Sequence, residues 1–481
     1  MTEQELRELV QLVQERKCEW RQLELKAAHQ GCPKKLYDTL SAFSNQDGGG
    51  TILFGIDEGK EYEVVGVYDM EDLQKKVNEQ CKQMEPVVRP TFTLTVFEDG
   101  KGVVSAEIPA VDISERPCCY RGKGRVDGSW VRVGDSDEPM SEYEVYSYEA
   151  FRKQLEDDIR PAQKENIQIA IDQEKVKQYL TILKTENPRL SQLSDTDILK
   201  FSSLYRENVP SLMCVLMFSN FPQMFYPQYT INATVIPGTE RGSVTEDGTR
   251  FLDNRRIEGS IPEILESALA FVIKNMKVQT RIDPRTGKRY DKTEYPIAAV
   301  REAILNALVH RDYSIHSEGK PIELTMFRDR LELRNPGGLY GKLTIDQLGN
   351  VQPDTRNKRL ARLLETLKIT ENRYSGIPTI RRELKEAGLQ PPEFADSRSE
   401  FRVTFYNEPI EDKQHNVNEQ ERELLEFCRT PRTRQEIAEW LGVKSAAYAM
   451  SRNVKPLLEQ GLLKMTLPET PKSKDQKFFS E

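Results

Sequence analysis

The sequence predicts a multidomain α+β protein, and three observations lead to that fold class. The chain has 481 residues, whereas one domain usually holds about 150. Hydrophobic residues make up 37% and charged residues 30%, a globular composition with enough apolar side chains for several cores. Helix and strand signals alternate along the chain, and a polar linker at 407–418 interrupts them. We therefore expect three parts, at 1–158, 159–408 and 409–481.

Composition also restricts the class of protein. No run approaches the ~18 apolar residues that a membrane span needs, and charges stand where the apolar stretch of a signal peptide would be. The seven cysteines include no Cys-x-x-Cys pair, so neither a disulfide framework nor a structural zinc site is expected. We expect a cytoplasmic protein. Its net charge of −8 means that any nucleic-acid binding depends on local basic patches.

The first part reads as an α+β unit. A helix is predicted over Leu36–Phe43, followed by a turn at 47–50 and an apolar strand over Thr51–Ile56. Further strands are predicted over Val64–Val67, Thr91–Phe97, Val103–Ile108 and Trp130–Val133.

The second part is predicted to be a larger α/β domain. It opens with a stretch rich in Glu, Lys and Gln, Tyr146–Gln192, which favours helix. The apolar run Leu212–Phe218 predicts a buried strand, and the part ends in the strand Phe401–Tyr406.

The last part has the spacing of a winged helix-turn-helix. Its predicted elements are the helices Glu419–Cys428, Thr433–Leu441 and Ser445–Gln460 and the strands Leu462–Leu467 and Lys477–Phe479. From Arg429 onward it has 10 basic and 6 acidic residues. Predicted DNA contacts from the third helix and the wing are Ser445, Arg452, Lys455, Lys472 and Lys474. The alternative is a winged helix that docks on protein.

Three carboxylates in the first part form a candidate metal site. Glu19 and Glu24 flank Trp20, and Asp57 follows an apolar strand. If the three converge within about 5 Å, they could hold a divalent cation and position water against a phosphodiester. The alternative is that they are solvated charges at strand ends. Phosphate contacts are predicted for Arg121, Lys123, Arg125 and Arg132, which otherwise belong to an ordinary surface hairpin.

Four motifs in this part resemble one family. They are E-x-x-x-x-E-L-K at 19–26, A-F-S-N-Q-D-G-G-G-T-I-L-F-G-I-D at 42–57, Y-R-G-K-G at 120–124 and W-V-R-V-G at 130–134. Together they resemble the Schlafen-type, AlbA-like domain over roughly 15–140. The resemblance implies nucleic-acid binding. Some members are RNases whose two glutamates and one aspartate match Glu19, Glu24 and Asp57, which would be the catalytic and metal-binding residues.

A second candidate centre lies in the middle of the chain. Glu302 and Asn306 are four residues apart in a helical segment and therefore lie on one face, about a turn apart. The amide oxygen could be a ligand of a magnesium–phosphate centre, and the carboxylate could act as a base or orient water. The alternative is a solvated helix face.

Motifs downstream of this pair resemble another family. They include R-L-E-L-R-N-P-G-G-L at 330–339, R-N-K-R-L-A-R-L-L at 356–364 and S-E-F-R-V-T-F at 399–405. Over about 285–408 the chain resembles the ATP-binding domain of RecG-related bacterial regulators, a divergent GHKL-type α/β sandwich. The resemblance implies that Glu302 is the base and Asn306 the magnesium ligand. It places Gly337 and Gly338 in the first glycine box and Gly376 in the second.

Two features depart from what the family names suggest. Asn335-Pro336 stands where GHKL proteins have an Asp that reads the adenine amino group. No Gly-Lys pair is followed by Ser or Thr, so a P-loop helicase motor is excluded.

The favoured hypothesis is a nucleotide-responsive DNA-binding protein, a transcriptional regulator that binds ATP or another nucleotide with magnesium. A homodimer is expected, because such regulators usually read two half-sites. One alternative is a metal-dependent nuclease of the Schlafen type, acting on RNA or single-stranded DNA in phage defence or stress response. Another is a scaffold with a vestigial nucleotide site.

Overall fold

The computed structural model describes residues 1–282, 287, 289–352, 354–370, 376–407, 419–443, 445–459, 463–466 and 476–480. Contacts divide the chain into two compact units, Met1–Asn407 and Glu408–Glu481. Among the described helices, none is long and apolar enough to cross a membrane.

The first unit begins with a four-stranded sheet and its helices. The helices are α1 Glu3–Arg16, α2 Tyr37–Asn45, α3 Met70–Cys81, α4 Gly124–Asp127 and α5 Glu142–Lys153. The strands are β1 Leu23–Lys26, β2 Gly50–Phe54, β3 Ile56–Asp57, β4 Glu63–Val64, β5 Met84–Glu85, β6 Thr91–Val96, β7 Gly102–Ile108, β8 Cys119–Tyr120, β9 Trp130–Val133 and β10 Ser136–Pro139. The sheet order is β1-β2-β7-β6, with only its β1–β2 pair parallel.

Asn45, the last residue of α2, holds the β8–β9 segment against this sheet's helix. Its Nδ2 donates to the carbonyls of Cys118 and Trp130, at 2.9 and 3.1 Å, and its Oδ1 accepts from the Cys118 amide at 2.7 Å. Both the side-chain N–H groups and the side-chain carbonyl of Asn45 therefore have partners in the interior. This explains why an amide side chain is tolerated at a fully buried position.

The rest of the first unit is a larger α/β arrangement. Its helices are α6 Gln173–Glu186, α7 Asp195–Phe201, α8 Leu212–Phe218, α9 Pro222–Phe225, α10 Ile261–Asn275, α11 Ile297–His310, α12 Lys358–Thr366 and α13 Gly376–Glu386. Its strands are β11 Tyr205–Arg206, β12 Val209–Pro210, β13 Ile231–Val235, β14 Asp253–Ile257, β15 Val278–Ile282, β16 Arg289–Thr293, β17 Ile322–Met326, β18 Arg330–Pro336, β19 Glu393–Asp396 and β20 Glu400–Tyr406.

A six-stranded mixed sheet organises this region, in the order β14-β13-β17-β18-β20-β19. Strand β18 shows how the sheet separates apolar side chains from charged ones. Leu331 and Leu333 alternate with Arg330, Glu332 and Arg334, and successive side chains of a strand point to opposite faces. The leucines join the apolar core with α10, α11 and α13, while the charged residues pair with each other on the opposite face.

The segment Leu212–Phe218 is a helix, α8, and the predicted strand is wrong. All seven residues are buried, so no polar position marks the 3.6-residue period that distinguishes a helix. Ser211 begins the helix, because its side chain accepts a hydrogen bond from the Cys214 amide at 3.3 Å. The predicted helical stretch Tyr146–Gln192 is also divided, between α5 and α6.

The elements of the second unit are α14 Glu419–Phe427, β21 Arg432–Thr433, α15 Arg434–Trp440, α16 Ala446–Ala449, a π-helical turn Met450–Val454, α17 Lys455–Glu459, β22 Lys464–Met465 and β23 Lys477–Phe479. Strand β21 was not predicted, and the π-helical turn divides the predicted third helix. The strands form a sheet in the order β21-β23-β22. Leu424, Ile437, Val454, Leu457 and Phe478 form its core.

We predict that Ser211→Ala lowers the free energy of unfolding by about 1 kcal/mol, because it removes the N-cap of α8. Chemical denaturation of the full chain measures the change, with the exposed Ser191→Ala as control. Equal stability of the two variants would contradict the assignment of Ser211 as a helix cap.

Candidate functional site

Helix α11 presents a polar stripe to a cavity of about 640 Å³. Glu302, Asn306 and His310 follow each other at intervals of four residues and therefore share one face. Eight of the other residues of α11 are apolar and buried. Together with Arg301, this stripe supplies the polar groups with which α11 lines the cavity.

The six-stranded sheet forms the floor of the cavity. Leu333 and Asn335 of β18 stand opposite Val403 and Phe401 of β20 in the sheet register, and all four line the cavity. The first turn of α13, beginning at Gly376, forms another wall.

The structure brings Glu302, Asn306 and Gly376 together. A Cβ atom placed on Gly376 would lie 2.9 Å from Asn306 Nδ2 and 3.1 Å from Glu302 Oε2. Only glycine fits so close to the pair without moving it. No described residue accepts a hydrogen bond from the buried Nδ2 of Asn306, so this amide has bonding capacity left for a ligand.

Gly337 and Gly338 also line the cavity, but their amides are already used. They donate to the carbonyls of Ser399 and Arg398, at 2.9 and 2.7 Å. Gly337 has φ of +95°, and a Cβ there would lie 2.7 Å from Cβ of Asp312. These glycines therefore shape the loop, and their amides already have backbone partners.

A buried polar network lies behind this glycine loop, and sequence reasoning missed it. Asp312 forms an ion pair with Arg356 at 2.7 Å and accepts a hydrogen bond from the Tyr143 hydroxyl at 2.6 Å. Burial would raise the pKa of Asp312, but Arg356, Tyr143 and the Ser314 donors hold it below its ordinary value. No local signal connects these three segments of the chain.

The charge of the lining suits an anionic ligand. Its basic side chains are Arg301, Lys368 and Arg382, besides Arg356, whose charge is balanced by Asp312, and its acidic ones are Glu302 and Asp354. Burial, with a further contribution from Arg356, lowers the pKa of His310 to about 4, so this imidazole is neutral at pH 7. The amide of Asn306 and the carboxylate of Glu302 fit a magnesium–nucleotide complex by donor type.

The N-terminal carboxylates are arranged differently from the prediction. Arg132, predicted to contact phosphate, has a side chain that is only 1% exposed and lies between carboxylates. It is 2.8 Å from Glu24, 2.9 Å from Asp137 and 3.8 Å from Glu19. A buried guanidinium needs such partners, so Arg132 neutralises the acidic cluster and is not a surface phosphate contact.

Asp57 does not join this cluster. Its carboxylate accepts a hydrogen bond from the Gly59 amide at 3.0 Å and so caps the next turn. Within the described residues, no three His, Cys, Asp or Glu side chains are placed to hold a metal ion. The structure therefore does not bring Glu19, Glu24 and Asp57 together as a metal centre.

Two of the predicted N-terminal basic contacts lie at the surface. Arg121 and Lys123 are exposed, whereas Arg125 is half-buried between Glu85 and Glu149. Next to them Tyr37 stacks on Tyr120, with 3.8 Å between ring centroids. Tyr37 was not predicted from the sequence. It follows the pair Lys34-Lys35, whose two exposed lysines are the pattern that could have indicated a basic surface here.

In the second unit, the described candidates are exposed. Ser445, Arg452 and Lys455 lie in or just before the α16–α17 segment with their side chains at the surface. Lys472 and Lys474 lie outside the described residues.

We predict that Glu19→Gln stabilises the first unit more at pH 8 than at pH 5. Burial, aided by the charge of Glu24, raises the pKa of Glu19 to about 7. Arg132 lies 3.8 Å from Glu19, at the limit of ion-pair distance, and already forms ion pairs with Glu24 and Asp137. The folded state therefore favours the protonated acid, and this contribution is lost as the pH rises from the unfolded pKa of about 4.5 to about 7.

Denaturant unfolding followed by tryptophan fluorescence measures the stability difference, with the exposed Glu98→Gln as control. A difference that does not grow between pH 5 and pH 8 would contradict the raised pKa.

Comparison with known families gives three matches. Residues 19–141 match the model "Schlafen, AlbA_2". Residues 319–405 match "Putative ATP-dependent DNA helicase recG C-terminal". Residues 419–479 match "Filamentation induced by cAMP protein Fic-like, C-terminal domain". None of the curated proteins matches the chain.

Two solved structures are similar to the chain. The DIP2311 protein from Corynebacterium diphtheriae is 17% identical, with a TM-score of 0.40, and the match covers 99% of this chain and 97% of that one. The N-terminal domain of a "Putative ATP-dependent DNA Helicase RecG-related Protein" from Nitrosomonas europaea is 27% identical, with a TM-score of 0.23, over 28% of this chain and 91% of that one. The family matches show that the chain combines a Schlafen AlbA_2 domain, a RecG-related C-terminal domain and a Fic-like C-terminal domain.

Proposed function

We propose that this protein is a nucleotide-responsive DNA-binding regulator. It binds a magnesium–nucleotide complex in the α11 cavity and duplex DNA through its C-terminal unit. The observation that carries the proposal is that the loop following β18 lines the cavity and also packs against α5, the helix that leads out of the N-terminal sheet.

Support for the nucleotide comes from the donor set of the cavity. Glu302 and Asn306 would hold magnesium, which supplies charge neutralisation of the phosphates when bound. The first-turn amides of α13 have no partners within their own helix and favour an anion. The RecG-related family match over 319–405 includes most of the floor and the glycine loop.

The contacts of the loop that follows β18, which contains Gly337 and Gly338, support a response of DNA binding to the nucleotide. The ring of Tyr340 meets that of Phe151 edge to face, with 5.3 Å between centroids. Lys342 forms an ion pair with Asp112 at 3.0 Å. Tyr143 of α5 holds Asp312, against which Gly337 packs. A ligand that displaces this loop must therefore disturb the packing of α5.

Support for DNA comes from the second unit. Its helices and three-stranded sheet follow the order of a winged helix, in which the recognition helix enters the major groove. Arg452 and Lys455 are exposed on that helix and would contact phosphates. Arg121 and Lys123 would provide a second basic surface on the N-terminal domain.

The N-terminal acidic cluster argues for binding over cleavage. Arg132 already occupies the position between Glu24 and Asp137, at 2.8 and 2.9 Å. A divalent cation there would have to displace a buried guanidinium, which carries a large desolvation and pairing cost. The residues present therefore do not fit a metal nuclease centre.

We predict that Asn306→Ala weakens binding of ATP with magnesium by at least about tenfold, because one ligand and one buried hydrogen-bonding group are lost. Calorimetry of the full chain measures the dissociation constant. Asn254→Ala, at an exposed position of β14, is the matched control. Unchanged affinity of the Asn306 variant would mean that the site is misplaced.

We predict that Tyr143→Phe preserves nucleotide binding but removes the effect of ATP on DNA affinity. The variant loses only the hydroxyl that connects α5 to Asp312. For the native protein we expect ATP to change the dissociation constant of duplex DNA by at least about fivefold, and for the variant by less than about twofold. Fluorescence anisotropy with labelled DNA measures both.

Tyr62→Phe, which removes a surface hydroxyl bonded to Glu58, should keep the full response. The double variant Arg452→Ala with Lys455→Ala should bind DNA weakly with and without ATP. Its salt dependence should also be shallower, by about one unit of slope per lost contact. A native response in the Tyr143 variant would refute the coupling route through α5.

A further inference from the structure

A second, much smaller cavity lies in the core of the first unit. It has a volume of about 10 Å³, which admits roughly one particle the size of a water molecule. It shares no described lining residue with the larger cavity beside α11. Most of its wall is apolar and comes from α8, α10, α11 and β17, through Leu216, Ile261, Ile264, Leu308 and Ile322.

Arg311 lines this small cavity with part of its guanidinium unpaired. The residue is only 1% exposed. Its Nη2 donates to the carbonyls of Ser317, at 3.2 Å, and Lys320, but no described residue accepts a hydrogen bond from its Nε or Nη1. A buried N–H group without an acceptor is unfavourable. The cavity wall therefore favours a ligand that accepts hydrogen bonds.

The positive charge of Arg311 is not balanced by the carboxylate that follows it in the chain. Asp312 forms its ion pair with Arg356, so these three buried residues carry two positive charges and one negative. Burial lowers the pKa of Arg311, but an arginine keeps its proton at neutral pH. The rings of Tyr229 and Tyr313 lie 4.8 and 5.7 Å from its Cζ and offset part of the charge. A buried cation without a carboxylate partner favours an anion as its neighbour.

Thr230, which precedes β13, adds a second donor to the same wall. It is 2% exposed, and its hydroxyl has no hydrogen-bond partner among the described residues. The two tyrosine hydroxyls of the wall are already used, since Tyr229 donates to the Tyr313 carbonyl at 3.2 Å and Tyr313 to the Leu308 carbonyl at 2.8 Å. A hydroxyl hydrogen rotates freely and can point at an anion. Arg311 and Thr230 are thus the two residues that can donate to a ligand here.

We propose that this cavity binds one halide ion between Arg311 and Thr230. A halide is a single atom only slightly larger than water, whereas sulfate, phosphate and carboxylates are too large for the volume. It accepts hydrogen bonds from both residues and balances the charge of the guanidinium. A water molecule would accept the same hydrogen bonds but would leave the charge unbalanced. The inference is independent of the proposed nucleotide site, because the two cavities are lined by different residues.

Thermal unfolding of the full chain tests the site, with sodium gluconate replaced stepwise by sodium chloride or bromide. Constant ionic strength removes the screening of surface charges as a cause. A halide that binds only the folded state raises the unfolding midpoint by mass action. For the native protein we expect a rise of at least about 2 °C that levels off as the site fills. Crystals grown in bromide should show an anomalous scattering peak between Arg311 and Thr230.

Two variants and one control assign the halide response to these residues. Arg311→Met removes the charge and keeps most of the side-chain length, so the response should disappear. Thr230→Val keeps the shape and removes the hydroxyl, so the half-maximal rise should need at least about fivefold more halide, the effect of one neutral hydrogen bond. Thr404→Val, at a buried position of β20 that does not line this cavity, should respond as the native protein does.

The native protein alone is enough to overturn the inference, so the result does not depend on a variant that folds. An equal midpoint in gluconate, chloride and bromide, with no bromide peak in the cavity, would mean that water fills the space. A full halide response in Arg311→Met would place the ion elsewhere and also overturn the inference. Equal half-maximal halide concentrations for Thr230→Val and Thr404→Val would remove Thr230 from the site.

Discussion

The buried ion pair between Asp312 and Arg356 is the contact on which the arrangement of the candidate site depends. Removing two charges from water is unfavourable unless their remaining hydrogen-bonding groups are also satisfied. Here the Tyr143 hydroxyl and the Ser314 amide complete the bonding of Asp312. Arg356 also lies over the Tyr340 ring, 5.0 Å from its centroid. Loss of one partner would leave an uncompensated charge, at a cost of about 3–5 kcal/mol.

This ion pair holds the loop that follows β18, which contacts both the cavity and helix α5. Gly337 packs directly against Asp312, and Gly338 supplies a carbonyl that Arg356 approaches at 3.4 Å. The loop therefore has little freedom to move alone. Because the cavity lies on one side and α5 on the other, occupancy of the cavity and the position of α5 are expected to be coupled through packed contacts. Contiguous packed contacts of this kind are the physical connection that the proposed response requires.

Arg132 shows the same rule of buried charge at the other end of the first unit. Its guanidinium satisfies Glu24 and Asp137 and donates to the Leu23 carbonyl at 3.1 Å. The ring of Phe43 lies below it, at 5.2 Å. An arginine in this environment is a structural cation. Of the four basic residues predicted to contact phosphate, Arg121 and Lys123 are the two that are exposed, so the proposed nucleic-acid contacts of this domain depend on them.

The sequence by itself determined the features that depend on backbone periodicity. Glu302 and Asn306 share a face because a helix repeats every 3.6 residues. The motifs also sufficed to predict the Schlafen-type and RecG-related domains, whereas the Fic-like C-terminal match was not predicted. Only the tertiary structure decided that Leu212–Phe218 is a helix, since burial on all sides erases its period. Likewise, only packing of distant segments joins Tyr143, Asp312 and Arg356, buries Arg132, and directs the amides of Gly337 and Gly338 to backbone carbonyls. Local pattern decides which side chains point the same way, whereas partners and burial depend on what the rest of the chain places opposite them.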